Sequence, residues 1–178
     1  MAAGAQEDTT GQAVIPYGGV LTALTSAAPE RVALVCDGPA GSVQITRAEL
    51  DAWANRLARA YADLGLCYGD FATIALPNGP EFFAACLAVW KLGAVPNPVS
   101  HRLPPPERNA IIARANPVLV IGVAEGSYAG CCCVPADLAV DDYSPDPLPA
   151  QTSPHERAMA SGGSTGLPKL IVAANPAT

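Results

Sequence analysis

The chain has 178 residues, half of them hydrophobic, with 18 prolines, 16 glycines and a net charge of −6. That is enough apolar material for one domain with its own core, while 10 Lys and Arg against 16 Asp and Glu, with no basic run, exclude a nucleic-acid footprint. No apolar run approaches the roughly 20 residues that span a bilayer, and no charged segment followed by an apolar stretch opens the chain, so it reads as cytoplasmic with no membrane span.

Residues 1–13 are small and polar, include Glu7-Asp8-Thr9-Thr10, and read as a disordered tail ahead of one structured unit, 14–178. Tyr17 to Ala28 carries Leu21 and Leu24 at helical spacing and stops before Pro29. Val32 to Cys36 and Val43 to Ile45 read as two strands of a hairpin around the turn Asp37-Gly38-Pro39-Ala40-Gly41. Thr46 is an N-cap with Glu49 completing a capping box. The helix from Arg47 to about Leu64 puts Leu50, Trp53, Ala54, Leu57 and Tyr61 on one face, so Trp53 is expected in the core, and Gly65 ends it.

Phe71 to Leu76 reads as a buried strand, Pro80 to Leu92 as an apolar helix and Ala94 to Pro96 as a short strand. Pro104-Pro105-Pro106 leads into a helix through Arg114, and Val118-Leu119-Val120-Ile121 is a continuous apolar run of the kind buried inside parallel sheets. From Ala124 to Ser153 the pattern weakens to surface loops around one short strand near Val134, with the Pro-rich run 144–149 as a rigid connector. Strands alternating with helices predict an α/β fold: a doubly wound, mostly parallel sheet flanked by helices.

The six cysteines predict no disulfide framework. Cys131, Cys132 and Cys133 are consecutive and cannot all turn to one partner, and with only His101 and His155 available no zinc spacing is present. Thiols acting as small buried hydrophobes in a reducing compartment fit this pattern, and no metal site is expected.

The densest chemical signal is Ser161-Gly162-Gly163-Ser164-Thr165-Gly166-Leu167-Pro168-Lys169. Glycines let backbone amides approach an anion, the hydroxyls of Ser164 and Thr165 add donors, and Lys169 adds a compact positive charge. A P-loop places Lys directly after its last glycine and opens a helix; here Leu167-Pro168 intervenes and Leu170-Ile171-Val172 follows as a strand. The reading is a strand-loop-strand phosphate grip, with a Gly/Ser linker as the competing view. Because the whole chain is acidic, the grip must act through local, directed groups.

These residues make the segment similar to the signature phosphate loop of the adenylate-forming (AMP-binding) superfamily. The resemblance runs from about residue 30 to 175 through Ile45-Thr46-Arg47-Ala48-Glu49-Leu50, Ala54-Asn55-Arg56-Leu57-Ala58, Leu64-Gly65 with Gly69-Asp70, Ile74-Ala75-Leu76-Pro77-Asn78 and Lys91-Leu92-Gly93-Ala94-Val95-Pro96-Asn97-Pro98. Two departures stand out: Gly162 where the family carries Ser or Thr, and Leu170 where it carries Gly.

The resemblance implies activation of a carboxylic acid by ATP with Mg²⁺, release of pyrophosphate, and transfer of the acyl group to a thiol, usually coenzyme A. It implies ATP phosphate contacts from Ser161, Gly162, Gly163, Ser164, Thr165, Gly166 and Lys169. The run 97–104 resembles acyl-CoA synthetases and bile-acid-type CoA ligases more than amino-acid-activating domains, with a fatty, aryl or steroid-like acid as substrate. His101 and Arg102 are substrate-adjacent candidates, against the simpler views of a hydrogen-bonded loop histidine and a surface salt bridge. His155 and Glu156 read as turn caps. By the same resemblance the chain is the N-terminal subdomain of such an enzyme, ending just after the phosphate loop and inactive alone. The alternative is a stand-alone nucleotide- or partner-binding module.

Overall fold

Local turn chemistry sets the first elements. The computed structural model describes residues 14–38, 41–161 and 168–178, so the expected tail 1–13 and the hairpin residues Pro39 and Ala40 lie outside the described residues. Helix α1 spans Tyr17–Ala27, and strands β1 (Val32–Gly38) and β2 (Gly41–Thr46) pair antiparallel with Val35 opposite Gln44. Helix α2, Arg47–Asp63, starts on the anticipated capping box: the Glu49 N–H donates to Thr46 Oγ1 (3.3 Å) and the Thr46 N–H donates to Glu49 Oε2 (2.8 Å). Those bonds hold the Glu49 carboxyl below its ordinary range, the backbone bond from Thr46 contributing most.

Two helices end in the same way. After α2 the Leu66 N–H reaches Tyr61 O (3.0 Å) and the Gly65 N–H reaches Ala62 O (2.9 Å); after α3 (Pro80–Lys91) the Ala94 N–H reaches Val89 O (3.1 Å) and the Gly93 N–H reaches Trp90 O (2.9 Å). Both are Schellman endings, which need a left-handed residue at the turn. Gly65 and Gly93 supply it, with φ of 96° and 66°.

Four short strands form a parallel sheet in the order β4-β3-β5-β6: β3 is Phe71–Ile74, β4 Val95–Pro98, β5 Leu119–Ile121 and β6 Cys132–Val134. The strand expected over Ala94 to Pro96 thus continues through Asn97 and Pro98. It tolerates two prolines because it is the sheet edge, where their missing N–H groups leave no ladder bond unmade. The chain passes from β3 through α3 to β4, then back over β3 through α4 (Pro105–Ala115) to β5. That reversal puts helices on both faces, as a doubly wound sheet requires.

Strand alternation sorts the core accordingly. Ala72, Ile74, Leu119 and Ile121 join Leu57, Tyr61, Ala84 and Val89 in the large core under α1–α3, and Val120 and Cys133 face Ile112 of α4 in a smaller one. Cys132 packs on the first core and Cys133 in the second, so neighbouring thiols do point apart. The picture of buried thiols holds for Cys86 and Cys133 but not for Cys67, which is exposed. Trp53 packs at the rim of the large core, half-buried, and not within it.

A buried ion pair holds the three helices of that face together. Lys91 Nζ of α3 lies 2.8 Å from Asp51 Oδ1 of α2 and donates to Thr22 Oγ1 of α1 (2.9 Å), and the Thr22 hydroxyl in turn donates to Asp51 Oδ1 (2.9 Å). Among the described residues no helix is long and apolar enough to cross a membrane.

Candidate functional site

The glycine-rich run at 161–169 joins the two strands of a third sheet: β7 (Ala158–Ala160) pairs antiparallel with β8 (Leu170–Val172), Met159 opposite Ile171. Gly162, Gly163, Ser164, Thr165 and Gly166 lie outside the described residues, so what the structure gives is the foot of the loop. There the Ser161 N–H donates to Lys169 O (2.9 Å) and the Lys169 N–H donates to Ser161 Oγ (3.2 Å). The Ser161 hydroxyl oxygen therefore closes the hairpin, and its own proton stays available as a donor.

The root of this hairpin is pinned from several sides. The Ala173 N–H donates to Arg157 O (2.9 Å), the Glu156 N–H donates to Asn175 O (3.0 Å), and His155 Nδ1 lies 2.7 Å from Ala173 O. Trp90 of α3 donates its indole N–H to Glu156 O (2.9 Å), and Tyr17 of α1 donates its hydroxyl to Glu156 Oε1 (3.1 Å). That last bond raises the Tyr17 phenol above its ordinary value. His155 and Glu156 are thus not turn caps: His155 bonds the chain leaving β8, and Glu156 ties the root of the hairpin to α1 and α3, long-range pairings that local sequence does not carry.

In doubly wound sheets ligands gather beyond the carboxyl ends of the strands, where the winding reverses. Here the reversal falls between β3 and β5, where the chain crowds against Gly122: a Cβ there would sit 2.6 Å from Leu76 Cδ2 and 3.0 Å from Ala75 O. Open space lies instead beyond β3 and β4, in a groove of about 460 Å³ with Leu76, Phe82 and Pro98 on its walls and His101 and Arg102 at its mouth. A second groove, about 340 Å³, shares Pro98, Val99 and Ser100 and runs to Met159, Ala160, Ser161 and Pro168, with Glu107 as its acidic wall.

The structure therefore brings the turn that bears His101 and Arg102 next to Ser161 and Pro168, at the foot of the glycine-rich loop. The His101 and Arg102 side chains are exposed. The Arg102 backbone N–H donates to Ser100 Oγ (3.3 Å), and no ion pair of Arg102 occurs among the described residues, so the expected surface salt bridge is not formed there. Lys169 is exposed and borders a depression beside α4 together with Arg114. Sequence reasoning missed Arg114, which reads only as the last turn of a helix. Among the described residues no group of three His, Cys, Asp or Glu side chains converges as metal ligands.

With this geometry in view, the AMP-binding enzyme family model matches residues 22–175. The chain is 32% identical over 160 residues to a dimodular nonribosomal peptide synthase of Bacillus subtilis, covering 81% of this chain and 6% of the relative. It is 30% identical over 158 residues to 4-coumarate–CoA ligase 5 of Oryza sativa subsp. japonica, covering 79% of this chain and 29% of the relative. Its fold is similar to that of a Mycobacterium tuberculosis fatty acyl CoA synthetase, with a TM-score of 0.75 and 26% identity over 89% of this chain and 34% of that one. The chain thus spans at most about a third of the length of these relatives. It belongs to the AMP-binding, adenylate-forming enzyme family.

Proposed function

We propose that the protein bearing this chain is an ATP-dependent carboxylic acid–CoA ligase, and that residues 14–178 serve in it as the N-terminal subdomain that presents the phosphate loop. A carboxylate oxygen of the acid attacks the α-phosphorus of ATP, forming the acyl–phosphate bond as the α–β bridging bond breaks and pyrophosphate leaves. The thiol of coenzyme A then attacks the acyl carbon, AMP departs, and the thiol proton is released. The carboxylate is already an anion, so the first step needs no general base.

This chain's part is to hold the departing diphosphate. Gly162, Gly163 and Gly166 offer backbone amides, Ser164 and Thr165 hydroxyls, Ser161 the proton left over from closing the hairpin, and Lys169 positive charge. Donors fixed in advance where charge develops lower the barrier most, and keeping the leaving group in line preserves the attack geometry. Mg²⁺ is read as arriving mainly on the nucleotide's own phosphates.

The observation that carries this reading is the loop sequence rising from a pinned two-stranded foot beside the carboxyl ends of β3 and β4. Choice of coenzyme A as acceptor rests on the run 97–104 and on the likeness to a 4-coumarate–CoA ligase, with a fatty, aryl or steroid-like acid as substrate. The likeness to a nonribosomal peptide synthase favours one other acceptor, a carrier-protein thiol. The test is to incubate the full-length protein with ATP, coenzyme A and a panel of carboxylic acids and to analyse products by mass spectrometry. Acyl-CoA with AMP in equal amount is expected. Acyl transfer to a carrier-protein thiol alone would replace the acceptor, and formation of ADP would overturn the reaction class.

A further inference from the structure

The interior of an edge strand is an unusual place for a carboxamide, yet Asn97 in β4 is wholly buried, and so is Thr73 opposite it in β3. A buried amide destabilises a fold unless its hydrogen-bonding groups are met. Here two are met: the Thr73 hydroxyl donates to Asn97 Oδ1 (3.0 Å), and Asn97 Nδ2 donates to Ala158 O (3.0 Å). Ala158 is the first residue of β7, the strand that runs directly into Ser161.

The hairpin's own ladder explains why that carbonyl needs a partner. Arg157 O accepts from the Ala173 N–H, and the Ser161 N–H reaches Lys169 O. Bonded and non-bonded pairs alternate along antiparallel strands, so Met159 and Ile171 form the bonded pair between them. The carbonyl of Ala158, paired in register with Val172, then points away from β8. It is fully buried, and water cannot satisfy it. The Asn97 amide is its partner.

We infer that Asn97, oriented by Thr73, is a positioning residue that clamps the parallel sheet to β7 and so sets where Ser161 and Lys169, the foot of the phosphate loop, stand. The inference rests on the reading of the loop as the ATP diphosphate grip. It does not place Asn97 in contact with substrate. Loop placement matters because donors misplaced by a fraction of a bond length lose much of their hold on a developing charge, and β7 has only three residues in which to transmit an error at its start to Ser161 at its end.

The experiment compares Asn97→Val and Thr73→Val with the wild type in the full-length protein, by ATP–pyrophosphate exchange kinetics and by amide hydrogen exchange. Asn97→Val is expected to lower kcat/KM for ATP by about tenfold or more, with KM for the carboxylic acid within about twofold of wild type. Exchange of the Ser161 and Lys169 amides should quicken by a similar factor, while the α2 amides keep their wild-type rates. Thr73→Val, which keeps the volume and the Asn97–Ala158 bond, should shift the same readouts the same way by a smaller factor, and it decides the matter if Asn97→Val does not fold.

Plain loss of folded protein lowers turnover with both KM values unchanged and quickens exchange in α2 as well. That pattern, or wild-type exchange at Ser161 and Lys169 in both variants, overturns the clamp. A wild-type protein that exchanges pyrophosphate with no acid defeats the catalytic reading instead, and the amide measurement still decides whether Asn97 holds the loop's foot.

Discussion

Replacing Lys91 with Met keeps the length of a buried side chain and removes its charge. The ammonium and the Asp51 carboxylate are 3% and 5% exposed and 2.8 Å apart. Their attraction is about 6 kcal/mol at an effective dielectric of about 20, an amount largely offset by taking both ions out of water. The single variant forfeits the attraction and leaves the carboxylate buried with only the Thr22 hydroxyl at 2.9 Å and a long bond from Asn55 Nδ2 at 3.5 Å. The expected loss is about 3–5 kcal/mol, a large share of the about 5–15 kcal/mol by which domains are stable. Removing both charges in Lys91→Met with Asp51→Leu should restore most of it, because an apolar pair of similar volume often matches a buried ion pair. Equilibrium urea unfolding followed by circular dichroism measures all three proteins. A Lys91→Met loss below about 1 kcal/mol, or a double variant no better than the single one, would refute the claim that this pair joins α1, α2 and α3 in a dry core.

Thr46→Ala should destabilise the chain by about 1 kcal/mol through loss of the α2 cap, and the same urea titration reads it. Glu49 should show an acid-side effect: its carboxyl is lowered in the fold, so its contribution is present above the ordinary carboxylate range and fades as pH falls through the lowered value. Glu49→Gln should flatten that limb of a stability–pH curve. On the alkaline side burial pushes the Cys86 thiol from 9.0 up to about 12 and the Tyr61 phenol up as well. The fold therefore holds protons that the unfolded chain releases, and stability should fall as pH rises from about 9 toward 12. Cys86→Ala should remove the onset of that decline. In the native protein at pH 8, thiol reagents should modify exposed Cys67 and spare Cys86 until the chain unfolds.

Much of the architecture was legible because each cue was local. Thr46 with Glu49, Gly65 after Tyr61, and the apolar run ending at Ile121 sit within one turn or one strand of the structure they specify. The strand expected to end at Pro96 runs on to Pro98, because a second proline argues against a strand until the strand is known to lie at an edge. The left-handed Asn116 that closes α4, with φ of 46°, is a conformation asparagine tolerates without announcing it. Lys91 and Asp51 were invisible as partners: a lysine in the last turn of one helix and an aspartate in the first turns of another read as solvated charges, and only packing makes them a pair.

The candidate site was legible as a motif and not as a setting. Glycines, hydroxyls and Lys169 suggest an anion grip by composition alone. That Ser161 spends its oxygen on the Lys169 amide, that Arg114 stands beside Lys169, and that Asn97 meets Ala158 are contacts between residues far apart in the chain or between side chain and backbone. No periodicity encodes them.

The central claim is that the loop at 161–169 holds the diphosphate that leaves ATP. Carboxylate-dependent exchange of labelled pyrophosphate into ATP by the full-length protein tests it most directly, with Thr165→Ala and Lys169→Ala combined as the probe. The account predicts exchange in the wild type and a fall of about a hundredfold or more in the double variant, the scale on which losing preorganised donors slows such steps. Equal exchange rates in the two proteins would contradict it.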